Sequence, residues 1–102
     1  MTSGLSEATI GHIQVVLARF VEVDKAVLYG SRAIGNYRAG SDIDLTLYGP
    51  ALNFDQLGRI ANEVDDLLLP YTIDLSIFSQ LSHPELREHI ERIGQVFCVR
   101  QA

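Results

Sequence analysis

A single α/β domain, a small mixed sheet with helices packed on it, is the fold class this sequence predicts. Three observations carry it. Short β-type runs alternate along the chain with apolar stripes at helical spacing. The 102 residues suffice for one core and leave no room for a second. Hydrophobic residues make up 47% and charged residues 21%, which is enough apolar surface to offset the entropy of ordering.

The elements follow in order. From Glu7 to Val21, Ile10, Ile13, Leu17 and Phe20 recur at helical spacing, Ser6 can cap the start, and Val16 and Val21 widen the stripe, so a helix is expected there. Ala26–Tyr29 is an apolar run too short for a helix and stopped by Gly30, which predicts a buried strand. Residues 32–37 allow at most a short helix, because Gly35, Asn36 and Gly40 interrupt any longer pattern, and a loop leads on to Ser41. From Asp42 to Tyr48 the chain alternates strictly, Asp42, Asp44 and Thr46 on one face and Ile43, Leu45 and Leu47 on the other, as a strand with one polar side does. Gly49-Pro50 closes it. Leu57, Ile60, Ala61, Val64, Leu67 and Leu68 then repeat at helical spacing until Pro70, and the Leu67–Leu69 run reads as core of that helix. Thr72, Asp74 and Ser76 alternate with Ile73, Leu75 and Ile77 in a third strand of the same face pattern. Pro84 suits a first helical position, Leu86, Ile90 and Ile93 form the stripe, Gly94 ends it, and Val96–Val99 makes the last strand. The chain shows no internal repeat, linker or low-complexity tract.

Composition excludes several classes of function. Eight Lys and Arg against thirteen Asp and Glu leave a net charge of −5, so no basic field draws the chain to nucleic acid or anionic lipid, and no stable nucleic-acid binding is expected. The lone Cys98 cannot close an intramolecular disulfide, and no Cys/His cluster stands at zinc spacing. Met1–Ile10 lacks the basic and apolar regions of a secretion signal, and the longest apolar runs are far shorter than the roughly 20 residues of a membrane span. A cytoplasmic protein is expected.

The chemistry is concentrated in Gly30-Ser31-Arg32-Ala33-Ile34-Gly35 and, after six residues, Asp42-Ile43-Asp44. Aspartates at i and i+2 of a strand share a face, about 6.5 Å apart along the backbone, so their carboxylates can converge on cations. Asp74 lies on the polar face of another strand and joins them if the two strands are neighbours. Carboxylates crowded in one cleft need protons or a cation, and hard oxygen ligands select Mg2+ or Mn2+. Strand carboxylates are most often a solvated acidic face, but these follow a glycine-serine turn at a set interval. Gly30 lets a ligand approach the backbone, Ser31 can donate its hydroxyl, and the start of the following helix can point N–H groups at a phosphate.

On these residues the chain resembles the minimal nucleotidyltransferases of the DNA polymerase beta superfamily. The family pattern of Gly-Ser, a further Gly and Ser-Asp-x-Asp is matched by Gly30-Ser31, Gly35 and Ser41-Asp42-Ile43-Asp44, and its third strand aspartate by Asp74. The likeness spans nearly the whole chain, so residues 1–102 read as one polymerase-beta-like nucleotidyltransferase domain. The resemblance implies a Mg2+-dependent transferase in which Asp42, Asp44 and Asp74 are the catalytic and metal-binding residues for a pair of Mg2+ ions. It implies that Gly30 and Ser31 hold the triphosphate, with Arg32 and Ser41 also at the nucleotide, and ATP is the expected donor. The second arginine of the usual Gly-Ser-Arg-Ala-Arg-Gly is Ile34 here, which weakens the expected grip on phosphate. Arg38 is a lesser candidate. The resemblance further implies a partner: HEPN-domain toxins, some of which such domains silence by adding AMP to a tyrosine.

Two other readings stand beside this one, an antitoxin that inhibits by docking alone and a small-molecule nucleotidyltransferase of the antibiotic-modifying kind, which usually has an extra domain for its acceptor. His12, His83 and His89 have no second ligand at helical spacing and read as surface or capping residues. Cys98, within Val96-Phe97-Cys98-Val99, reads as a small core residue.

Overall fold

The computed structural model describes residues 4–100. Its elements are α1 (Glu7–Ala18), β1 (Lys25–Tyr29), α2 (Ser31–Ile34), β2 (Ile43–Tyr48), α3 (Phe54–Asp65), β3 (Ile73–Ile77), a 3-10 turn (Phe78–Gln80), α4 (Pro84–Ile93) and β4 (Gln95–Val99). Of the stretch Met1–Ile10, in which no secretion signal is expected, the first three residues lie outside the described residues, as do the last two of the expected domain 1–102. Among the described residues no helix is long and apolar enough to cross a membrane.

The strands form one mixed sheet in the order β3-β2-β1-β4. β1 runs antiparallel to β2 and to β4, whereas β2 and β3, joined through α3, are parallel. β1 is buried and apolar from Ala26 onward because it is central and covered on both faces. Ala26 and Leu28 join Ile43, Leu45 and Leu47 of β2 in the main core with Ile13 and Leu17 of α1 and Ile60 and Val64 of α3. Val27 and Tyr29 face the other way into a smaller cluster with Phe78 and with Ile90 of α4. The polar face of β2 is therefore only half solvated. Thr46 is fully buried, accepting a hydrogen bond from Ser76 Oγ at 2.9 Å, and Tyr48 stacks on Phe78.

Two helices are shorter than their patterns predict. α1 stops at Ala18, Phe20 N–H donates to the Leu17 carbonyl in a turn, and Val21, read as part of the stripe, is exposed while Val23 enters the core. The Val23 N–H donates to the Phe20 carbonyl, so the chain turns here and carries Val23 rather than Val21 into the core. α3 starts behind the Asn53 capping box and ends at Asp65. Leu67 and Leu68 close 3-10-type bonds to Val64 and Asp65, and Leu68 adopts φ +54° with 88% of its surface exposed. Leu67 and Leu69 pack on the core, but Leu68 is no core residue: the chain reverses before Pro70 and turns it outward.

Candidate functional site

The site is built where β1 passes into α2. Gly30 takes φ +77° and ψ −156°, a region closed to residues with a side chain, and a Cβ there would run into Asp44 Oδ2. α2 is one turn long, with the Ala33 and Ile34 N–H groups both donating to the Gly30 carbonyl and Gly35 capping it at φ +88°. A single turn has little macrodipole, so the expected anion-binding helix start reduces to the turn itself and the Ser31 hydroxyl.

Sheet register does the rest. Asp44 pairs with Tyr29 across the antiparallel ladder and with Asp74 across the parallel one. Asp74, Asp44 and Tyr29 thus form a row on one sheet face, and Asp42, two residues before Asp44, lies on that face by the strand period. Asp42 and Asp74 are exposed and Asp44 is partly buried. Burial first, then the charges of Asp74 and Asp42, push the Asp44 carboxyl above its ordinary range, and His89 partly opposes them. Among the described residues no three His, Cys, Asp or Glu side chains are drawn into a ready-made metal site. The donor chemistry nonetheless fits a hard divalent cation: like carboxylates share one face, and the innermost already feels the repulsion that a cation would relieve.

Arg32 and Ser41 have other contacts than a nucleotide. Arg32 is 2% exposed, its Nε donates to the Ser41 carbonyl at 3.1 Å, and its guanidinium lies 5.2 Å from the Tyr37 ring centre and 4.9 Å from that of Tyr71. Packed in this way, Arg32 is held against the loop that leads to Asp42. Ser41 closes a turn: its N–H donates to the Arg38 carbonyl at 2.9 Å and its Oγ accepts from the Arg38 N–H at 2.8 Å. Arg38 is exposed.

His89 is the residue that sequence reading missed. It meets the Tyr29 ring edge-on at 6.4 Å and lies close enough to Asp44 to stabilise its charge. Nothing local in the sequence points to it, since α4 reaches the site only by crossing β1. Burial pushes the Tyr29 hydroxyl up, a hydrogen bond with Ser76 acts against this, and Asp44 and Asp74 add to it. His83, by contrast, is the expected cap, its Nδ1 accepting from the Leu86 N–H at 3.3 Å. Cys98 packs against the core, as expected. A cavity of about 270 Å3 between α1 and β4 contains none of the aspartates, Gly30 or Ser31.

Comparison with known proteins agrees with this fold. The fold matches a chain of a toxin–antitoxin crystal structure with AMP-PNP (TM-score 0.71, 20% identity, 95% of this chain and 76% of that chain). It also matches one of a tri-AMPylated Shewanella oneidensis HEPN toxin in complex with MNT antitoxin (TM-score 0.69, 17% identity, 98% and 74%). A stretch of 40 residues is 45% identical to part of the DNA mismatch repair protein MutL of Bacillus anthracis, covering 39% of this chain and 6% of that protein. The chain thus spans only a small fraction of that relative's length. The model of the family described as polymerase beta, nucleotidyltransferase, matches residues 12–102. With the glycine-serine turn facing a row of strand carboxylates, and with that match over most of its length, the chain belongs to the polymerase beta nucleotidyltransferase family.

Proposed function

We propose that the whole chain, residues 1–102, is a minimal nucleotidyltransferase domain that moves AMP from ATP to a hydroxyl acceptor. The acceptor in this reading is a tyrosine of a HEPN-type toxin in the cytoplasm, and the chain acts as its antitoxin. The observation that carries the reading is the in-register pair Asp44 and Asp74 beside Gly30, whose missing side chain leaves room for the Asp44 carboxylate. The structural neighbours support the partner and the nucleotide, being complexes of that class, one with AMP-PNP and one with an AMPylated toxin.

Asp42, Asp44 and Asp74 would hold the Mg2+ ions, which supply neutralisation of phosphate charge and a lowered pKa for a bound hydroxyl. The chain's own residues do the remainder. Gly30 lets the triphosphate approach the backbone, and Ser31 Oγ donates to a phosphate oxygen. The acceptor oxygen bonds to the α-phosphorus, the bond to the bridging oxygen breaks, and pyrophosphate leaves with the electron pair. The hydroxyl proton passes to the exposed Asp74 carboxylate and on to water. An acidic protein of net charge −5 is steered toward a basic, RNA-binding partner, an effect chiefly on association rate and specificity.

Incubation with a HEPN toxin, Mg2+ and ATP, followed by intact-mass measurement, should show the toxin heavier by AMP. An unmodified but inhibited toxin would establish the docking antitoxin instead, and absence of association would favour a small-molecule acceptor.

A further inference from the structure

We infer that Arg32 is a positioning residue for the carboxylate site, acting through the Ser41 carbonyl and the ring of Tyr71; the inference rests on the nucleotidyltransfer reading above. Three segments meet at this one side chain. Its backbone follows Ser31 in the phosphate turn. Its Nε holds the carbonyl of Ser41, the residue directly before Asp42, at 3.1 Å. Its guanidinium lies over the rings of Tyr37, in the loop connecting the turn to β2, and of Tyr71, three residues before Asp74. Tyr71 is in turn next to Thr72, whose carbonyl accepts the Ile43 N–H at 2.9 Å, so the start of β3 is tied to the start of β2 at the level of the aspartates.

The chemistry of the site calls for arginine in particular. A planar guanidinium can present faces to aromatic rings while its Nε–H donates in the plane, whereas a lysine ammonium offers a point charge on a flexible stem. Full burial also decides between two roles. A side chain that is 2% exposed is held by the protein and is not presented to a nucleotide, so its charge serves to fix the loop. Asp44 and Asp74 stand level on adjacent strands, where like charges repel, so the chain must hold them on one face against that repulsion. Loss of the clamp is therefore expected to let the approach to Asp42 drift, weakening cation binding more than nucleotide binding.

Arg32→Lys tests this in the full chain, with Mn2+ alone as the probe. Electron paramagnetic resonance without nucleotide should show Mn2+ affinity falling roughly tenfold at a temperature where the variant is folded, as for other groups that orient metal ligands. In the AMP-transfer assay kcat should fall while KM for ATP stays within about twofold, and added Mg2+ should recover part of the lost rate. Mn2+ affinity equal to that of the unsubstituted chain, or a loss confined to KM for ATP, overturns the inference and leaves the function standing. An unsubstituted chain that binds no Mn2+ and transfers no AMP overturns the function itself. If Arg32→Lys does not fold, Tyr71→Leu decides: it keeps the buried charge and removes one ring, weaker Mn2+ binding supports the clamp, and unchanged binding refutes it.

Discussion

Replacing Gly30 by alanine probes the link between the glycine-serine turn and the carboxylate row. The native φ of +77° with ψ −156° costs a residue with a side chain about 1–3 kcal/mol. The new methyl also falls on Asp44 Oδ2 and forces that carboxylate off its rotamer, at about 0.5–1.5 kcal/mol. A total of about 1.5–4.5 kcal/mol lowers Tm by roughly 6–36 °C in a domain of this size. A double-mutant cycle separates the two causes. In an Asp44→Ala background the carboxylate is gone and only the backbone cost remains, so Gly30→Ala should be cheaper there by about 0.5–1.5 kcal/mol. Urea unfolding of the four proteins, buffered at pH 7 with chelator, measures the coupling. Additivity within about 0.3 kcal/mol would refute the contact, and a cost for Gly30→Ala below about 0.5 kcal/mol would refute the strain as well.

Asp44→Asn tests the electrostatics. A carboxyl whose folded pKa is raised binds its proton more tightly in the native state, so it loses stability as pH rises from its ordinary value of 3.8 through the raised one. In chelator-treated protein the asparagine variant should melt higher than the parent at pH 7, with the gap closing below pH 4; a lower melting point at pH 7 would contradict the like-charge cluster. Asp74→Asn should keep the fold, by circular dichroism, while reducing AMP transfer by at least about a hundredfold, because an amide cannot take the acceptor proton; near-normal turnover would remove Asp74 from the mechanism. Asn53→Ala deletes the side-chain arm of the α3 capping box, the Oδ1 that accepts from the Gln56 N–H, and should cost about 1 kcal/mol in thermal unfolding with transfer unchanged.

The motif Gly30-Ser31 and the alternation of Asp42, Asp44 and Asp74 with apolar neighbours were legible in the sequence, and so were the strands that carry them. Strand period and glycine punctuation are local properties, set by side-chain geometry within a few residues, so they survive being read without a fold. Helix ends were less legible, because apolar spacing continues past α1 and α3 while the backbone turns away at Arg19 and Asp66. What tertiary structure alone decided is pairing. The parallel register of β2 and β3 brings Asp74 level with Asp44, and the crossing of α4 over β1 puts His89 beside them. Folding also buries Arg32 and sets its Nε on the Ser41 carbonyl, which its motif position does not announce. The pairing of Asp44 with Asp74 and the approach of His89 join residues far apart in the chain. No sequence period reports such a contact, since it depends on which faces meet when the one core closes.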